Sequence, residues 1–95
     1  MDSNGYNKSL FGCDDDLCYI CGCGGDLARH EIYGAANRQL SKYYGLWISV
    51  CPKHHADIHA DSNGEWLWLK KLAQKKFEKH YPDKDFLSIF GRKYI

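Results

Sequence analysis

Proline and methionine are scarce in this chain, with two prolines and one methionine among 95 residues. Long apolar runs are missing altogether. No stretch of about 18 apolar residues occurs, so no segment is expected to span a membrane. Residues 1–17 hold four aspartates and no apolar run, so no secretory signal is expected there. Internal repeats are absent, and the only low-complexity tract is the run Asp14–Asp16. Net charge is small, +1 at neutral pH, but unevenly spread. Asp2, Asp14, Asp15 and Asp16 face only Lys8 in residues 1–17, whereas Lys70, Lys71, Lys75, Lys76 and Lys79 face only Glu78 in residues 70–79. The basic stretch gives mild support for a polyanionic partner, although a solvated helix face would look the same.

What the chain has in excess is cysteine and clustered histidine. Five cysteines cannot all pair within one chain, which speaks against a pure disulfide framework. One domain of this length buries a modest fraction of its surface and often needs a staple. A reducing cytoplasm is the expected compartment, and there Cys and His clusters more often hold metal than form disulfides.

Residues 1–17 read as a flexible acidic arm carrying a free Cys13. "CYICGCGG" reads as a glycine-rich turn able to fold around an ion. "DLARHEIY" predicts a short strand, "AANRQLSKYYG" a short helical or irregular crossing, and "LWISV" a second strand running into Cys51. Pro52 suits the first turn of a helix over 52–60. Ser62 and Glu65 have capping-box spacing ahead of a long helix. Trp66, Leu69, Leu72, Ala73, Phe77 and His80 recur at steps of three and four along that helix, which Pro82 stops. Asp83 is placed to cap a last short helix, "KDFLSIF", closed by Gly91. The stripe Trp66–Leu69–Ala73–Phe77 should pack on the two strands.

Cys18 and Cys21 have the spacing of half a zinc site, and Cys51 with His54 supplies a Cys-x-x-His second half. The 29 residues between the halves leave room for two strands and an insertion. Cys23 competes with Cys21 but offers a poorer chelate bite, and His55 in place of His54 is the nearest variant. His55 and His59, four apart, share a helix face and can reach one ion. Position 56 is Ala56, so the His-Glu-x-x-His form of metalloproteases is absent. His30 is the candidate third ligand, with Glu31 beside it. Neighbours on a strand point to opposite sides, so His30 and Glu31 do not naturally share an ion. His54 and His55 lie about 100° apart around a helix, so the cluster should serve two ions. A thioredoxin-like role for Cys18 and Cys21 is disfavoured by the glycines that follow and the lack of a βαβ pattern.

In this order "CYICG", "RHEIYGAANRQLSKYYGLWISVC", "PKHHADIH", "AQKKFEKHYP" and "FLSIFGRKYI" resemble the zinc-knuckle subgroup of the HNH, or ββα-metal, endonucleases. The small HNH-like proteins of phages and prophages are the closer likeness, and it covers residues 18–95. The resemblance implies an α+β, zinc-stabilised ββα-metal domain with a C-terminal amphipathic helix and a short last helix. It implies hydrolysis of DNA phosphodiester bonds in the bacterial cytoplasm. His30 falls on the family's metal-ligand position, and Glu31 stands where the base histidine usually stands. Glu31 as base with His30 as ligand, or the reverse, both remain open. His55 and His59 match the ligands of the helix, while the family's middle Asn has no clear counterpart in "GLWISV". The expected cofactors are a structural Zn²⁺ at Cys18, Cys21, Cys51 and His54, and a divalent cation (Mg²⁺, Mn²⁺, Ni²⁺ or Zn²⁺) at His30, His55 and His59. Arg38, Lys42 and Lys53 are candidates to hold DNA phosphates. The alternative is a non-catalytic module of the same scaffold that binds nucleic acid or protein, with the acidic arm as a protein-binding segment or DNA mimic.

Overall fold

The two β-branched, apolar segments pair as expected. In a computed structural model describing residues 2–61 and 63–95, strand β1 (Ala28–Glu31) runs antiparallel to β2 (Trp47–Val50), with His30 opposite Ile48 and Glu31 opposite Trp47. A 3-10 turn (Ala35–Asn37) and helix α1 (Arg38–Tyr43) cross between them. Helix α2 (Pro52–His59) follows β2 directly, with Pro52 in its first turn. Helix α3 (Leu67–His80) and the short α4 (Phe86–Phe90) complete a small α+β architecture of one two-stranded sheet and four helices. Among the described residues, no helix is long and apolar enough to cross a membrane.

A two-stranded sheet cannot stand alone in water, so both of its faces need cover. Alternation along the strands puts His30, Ile48 and Val50 on one face and Arg29, Glu31, Trp47 and Ser49 on the other. The first face joins the main core. Ile48, Val50, Leu69, Ala73, Phe77, Phe86 and Phe90 all belong to one buried cluster. The expected stripe of α3 is thus buried at Leu69, Ala73 and Phe77, with Trp66 half-buried, whereas His80 is exposed. Its aromatic partners lie outside the strands: Phe77 meets Tyr44, Phe86 and Phe90 at ring-centroid separations of 5.2, 5.5 and 5.6 Å. Gln74 is fully buried on the same helix, and its Oε1 accepts the N–H groups of Tyr94 and Ile95, tying the C-terminal segment down.

The second face is covered by the acidic arm, which is therefore laid down rather than loose. Ser9 Oγ donates to the Trp47 carbonyl (2.7 Å), the Trp47 indole N–H donates to the Asn7 carbonyl (2.8 Å), and Leu10 N–H donates to the Gly45 carbonyl (2.8 Å). The Arg29 guanidinium lies 4.6 Å from the centroids of both Tyr6 and Trp47 and pairs with Asp2 and Asp15. Residues 2–17 lack periodicity because they fold as a strap whose partners are backbone groups of the sheet and of the turn at Gly45.

The two expected helix caps fare differently. Ser62, the expected cap of α3, lies outside the described residues. The carboxylate that satisfies the turn there is Asp61, which accepts the N–H groups of Asn63, Glu65 and Trp66. In α4 the residue at the cap position is Asp85 and not Asp83. Its carboxylate takes the Ser88 hydroxyl at 2.6 Å.

Leu69 is 2% exposed, so Leu69→Ala should lower unfolding free energy by about 2–5 kcal/mol in denaturant titration. Gly45 has φ +72°, and a Cβ there would lie 2.2 Å from the Lys8 carbonyl oxygen. Gly45→Ala should therefore push the arm off the sheet, cost on the order of 1–3 kcal/mol, and open residues 1–17 to limited proteolysis.

Candidate metal centres

The glycine-rich turn closes on itself before it meets the rest of the chain. Cys18 N–H donates to the Cys23 carbonyl and Gly22 N–H to the Cys18 carbonyl, both at 2.8 Å, with Gly22 at φ +76°. Tyr19 N–H donates to the Ser49 carbonyl at 2.8 Å, which pins this knuckle beside the end of β2. Two residues on, Cys51 stands at the start of α2, and His54 follows within its first turn.

The donors converge. Cys21 Sγ is 3.9 Å from Cys51 Sγ, and His54 Nδ1 is 3.3 Å from Cys51 Sγ and 3.9 Å from Cys18 Sγ. The sulfurs of Cys18, Cys21, Cys23 and Cys51 all lie within 4.8 Å of one another. A tetrahedral zinc with bonds near 2.3 Å needs sulfurs about 3.8 Å apart, so the set fits. All five cysteines are free thiols. The expected ligands Cys18, Cys21, Cys51 and His54 thus assemble, and Cys23 joins them. Its one-residue spacing from Cys21 does not keep it away, because the turn at Gly22 folds the chain back on itself.

The knuckle is built to hold negative charge. Burial pushes the Cys18 thiol up, but the backbone N–H groups of Cys21, Cys51 and Ile20 outweigh it and bring it down to about 6. Cys51 is lowered chiefly by the N–H of His54. Cys23 is pushed the other way, to about 12, first by hydrogen bonding to Cys21 and then by burial. Several thiolates cannot share one spot without a cation among them.

A second cluster sits on the far side of α2. His30, only 8% exposed, points from the inner face of β1. His55 and His59, one turn apart, come to meet it. The His30 ring lies 5.5 Å from His55 and 5.2 Å from His59, and the Nε2 atoms of His55 and His59 are 3.0 Å apart. One ring nitrogen from each of the three lies within 4.8 Å of the others. Burial, then the like charges of His55 and His59, push His30 down to about 4. His55 is lowered by burial and by His59. His30 and His55 are thereby favoured in the neutral form, the form that ligates metal. Both clusters are positioned to bind a metal ion.

Glu31 is not among the donors that converge. It lies on the opposite face of β1, its side chain 9% exposed, and accepts Arg38 Nε at 2.8 Å. Burial raises its carboxyl, but Arg38 and the Tyr6 hydroxyl hold it on balance below the usual range. Arg38 and Glu31 do line a depression of about 210 Å³ that His55 and His59 share. On the other side of the triad a groove of about 440 Å³ is lined by His30, His59, Ile58, Trp66, Leu67 and Lys70. Lys42 is turned away, its ammonium 4.8 Å from the Tyr6 ring, and Lys53 is exposed on α2. Tyr6 is beside the site without having been singled out by spacing, and Cys23, weighed only as a competitor of Cys21, joins the donors. Only a turn geometry or a tertiary contact reveals them.

Cys51→Ala should lose cooperative thermal melting, because metal affinity and folding free energy are one quantity in such domains. His55→Ala should keep melting and lower the metal content, measured by elemental analysis, from two ions per chain to one. Comparison with protein-family models, curated proteins and solved structures finds no match.

Proposed function

We propose that this chain is a metal-dependent, HNH-like endonuclease that hydrolyses DNA phosphodiester bonds in a reducing cytoplasm. The observation that carries the reading is the convergence of His30, His55 and His59 between two open depressions. Zinc fits the thiol-rich knuckle, and the three imidazoles would hold a second divalent ion. Such an ion supplies Lewis acidity at a phosphoryl oxygen and makes a bound water more acidic.

The chain's own residues do the rest. Three ligands leave coordination positions free for substrate and water, unlike the crowded knuckle. Arg38, beside the triad on one side, and Lys70, on the other, can each donate to phosphate oxygens of a strand laid across it. Arg38 is paired with Glu31. A phosphate that draws Arg38 away releases a carboxylate able to take a proton from water. The lysines of α3 add sequence-independent attraction, and affinity should fall steeply with salt.

The occupied state of Glu31 favours a second reading, a nucleic-acid-binding module on the same scaffold without hydrolysis. Supercoiled plasmid incubated with Mg²⁺, Mn²⁺ or Ni²⁺ separates the two. The endonuclease reading expects nicking that His55→Ala abolishes while the melting transition is kept. Glu31→Ala should reduce it by about 10²-fold or more if the carboxylate is a base. Plasmid that is retarded on a gel but never nicked by wild type with any of the ions would leave only the binding module.

A further inference from the structure

The knuckle carries one donor more than a zinc ion uses. Structural zinc is four-coordinate, yet four thiols lie within 4.8 Å of one another and His54 Nδ1 lies within 3.9 Å of two of them. Cys18 and Cys51 belong to the four-thiol group and lie 3.9 and 3.3 Å from His54 Nδ1, so both can serve a four-thiolate set and a set that includes His54. Cys21 lies 3.9 Å from Cys51, at the spacing of two sulfurs on one ion. The fourth place then has two claimants from different elements: Cys23, on the exposed rim of the turn, and His54, on α2.

We propose that Cys23 and His54 exchange in the fourth place, so that Cys23 is a thiol open to modification while the zinc stays bound. With Cys23 bound the ion sees four thiolates. With His54 bound it sees three thiolates and an imidazole, and Cys23 is released to solvent. His54 needs no rearrangement of the main chain to take the place, because its Nδ1 already sits over the Cys18–Cys51 edge. The released thiol suits a soft electrophile or a low-molecular-weight disulfide. In the second case the Cys23 sulfur attacks one sulfur of the disulfide, a new S–S bond forms as the old one breaks, and the other half leaves as a thiolate. The remaining cysteines cannot react in this way without loss of the ion, apart from Cys13, which lies outside the knuckle.

Iodoacetamide, added in small excess to the zinc-loaded full chain, tests this. Its methylene carbon bonds to the sulfur, iodide leaves and the thiol proton goes to solvent. Adducts are mapped by peptide mass spectrometry, and freed zinc is read with a chromophoric chelator. Wild type should gain an adduct at Cys23, besides any at Cys13, with zinc and the melting transition retained. In His54→Ala the same alkylation should release stoichiometric zinc. Cys23→Ala and His54→Ala should each keep zinc singly, and the double variant should lose it. Zinc release on alkylation of wild type at Cys23, protection of Cys23 in wild type, or retention of zinc by the double variant would each overturn the exchange.

Discussion

The junction at Cys51 is the constraint on which the rest of the structure depends. There β2 ends, α2 begins and the glycine-rich knuckle is pinned by the Tyr19–Ser49 hydrogen bond. Cys51 has extended backbone, and the next residue, Pro52, is already helical. A strand that turns into a helix within one residue fixes the azimuth of every side chain on that helix relative to the sheet. With about 100° per residue, His54 is aimed at the knuckle and its neighbour His55 at His30. Two donor clusters therefore follow from a single backbone turn. Loosening the knuckle would disturb the triad, although the two share no side chain.

The sheet imposes the second constraint. Two strands of four residues each offer little area, and the chain covers both faces with very different material. The inner face receives apolar residues of the helices, and His30 is the one polar side chain of β1 that faces them. The outer face receives the arm, held by backbone hydrogen bonds and by Arg29 between two aromatic rings. Glu31 on this face is held by Arg38 of α1, and Tyr6 of the arm helps to keep its carboxyl low. The arm thus contributes to the surroundings of the candidate site as well as to the core.

Much of this was legible in the sequence. Period-two and period-four patterns located β1, β2, α2 and α3. The spacing of His55 and His59 and the 100° rule placed His30, His55 and His59 in one cluster and Cys18, Cys21, Cys51 and His54 in another. What escaped depends on tertiary contact. The arm has no periodicity because its partners are carbonyls at Gly45 and Trp47, and hydrogen bonding to a neighbouring backbone leaves no pattern in residue type. Asp85, not the expected Asp83, stands at the cap position of α4. Several Asp and Ser residues stand near each helix start, and each could cap it by type alone. Cys23 was discounted on chelate bite, a rule for extended spacers that does not hold across a glycine at positive φ. Gln74 is fully buried under the C-terminal backbone, a contact that no pattern in residue type reveals.

The donor types of the two clusters argue for different duties. Thiolates carry charge, and three or four of them cancel or exceed that of a dication, so such a centre has no field left to attract an anion. Imidazoles ligate as neutral donors and cancel none of the ion's charge. An ion among His30, His55 and His59 would keep its full positive charge beside a groove lined by Lys70 and by the carboxylates of Glu31 and Asp61, with Arg38 paired to Glu31. The one carboxylate adjacent in sequence, Glu31, is kept on the opposite face of the strand and balanced by Arg38. Had β1 carried a bulge there, Glu31 would have joined the triad and removed a unit of charge from it. The regular pairing of Glu31 with Trp47 prevents that. The strand register thus keeps Glu31 out of the set of converging donors, and leaves the histidine cluster a set of neutral ligands alone.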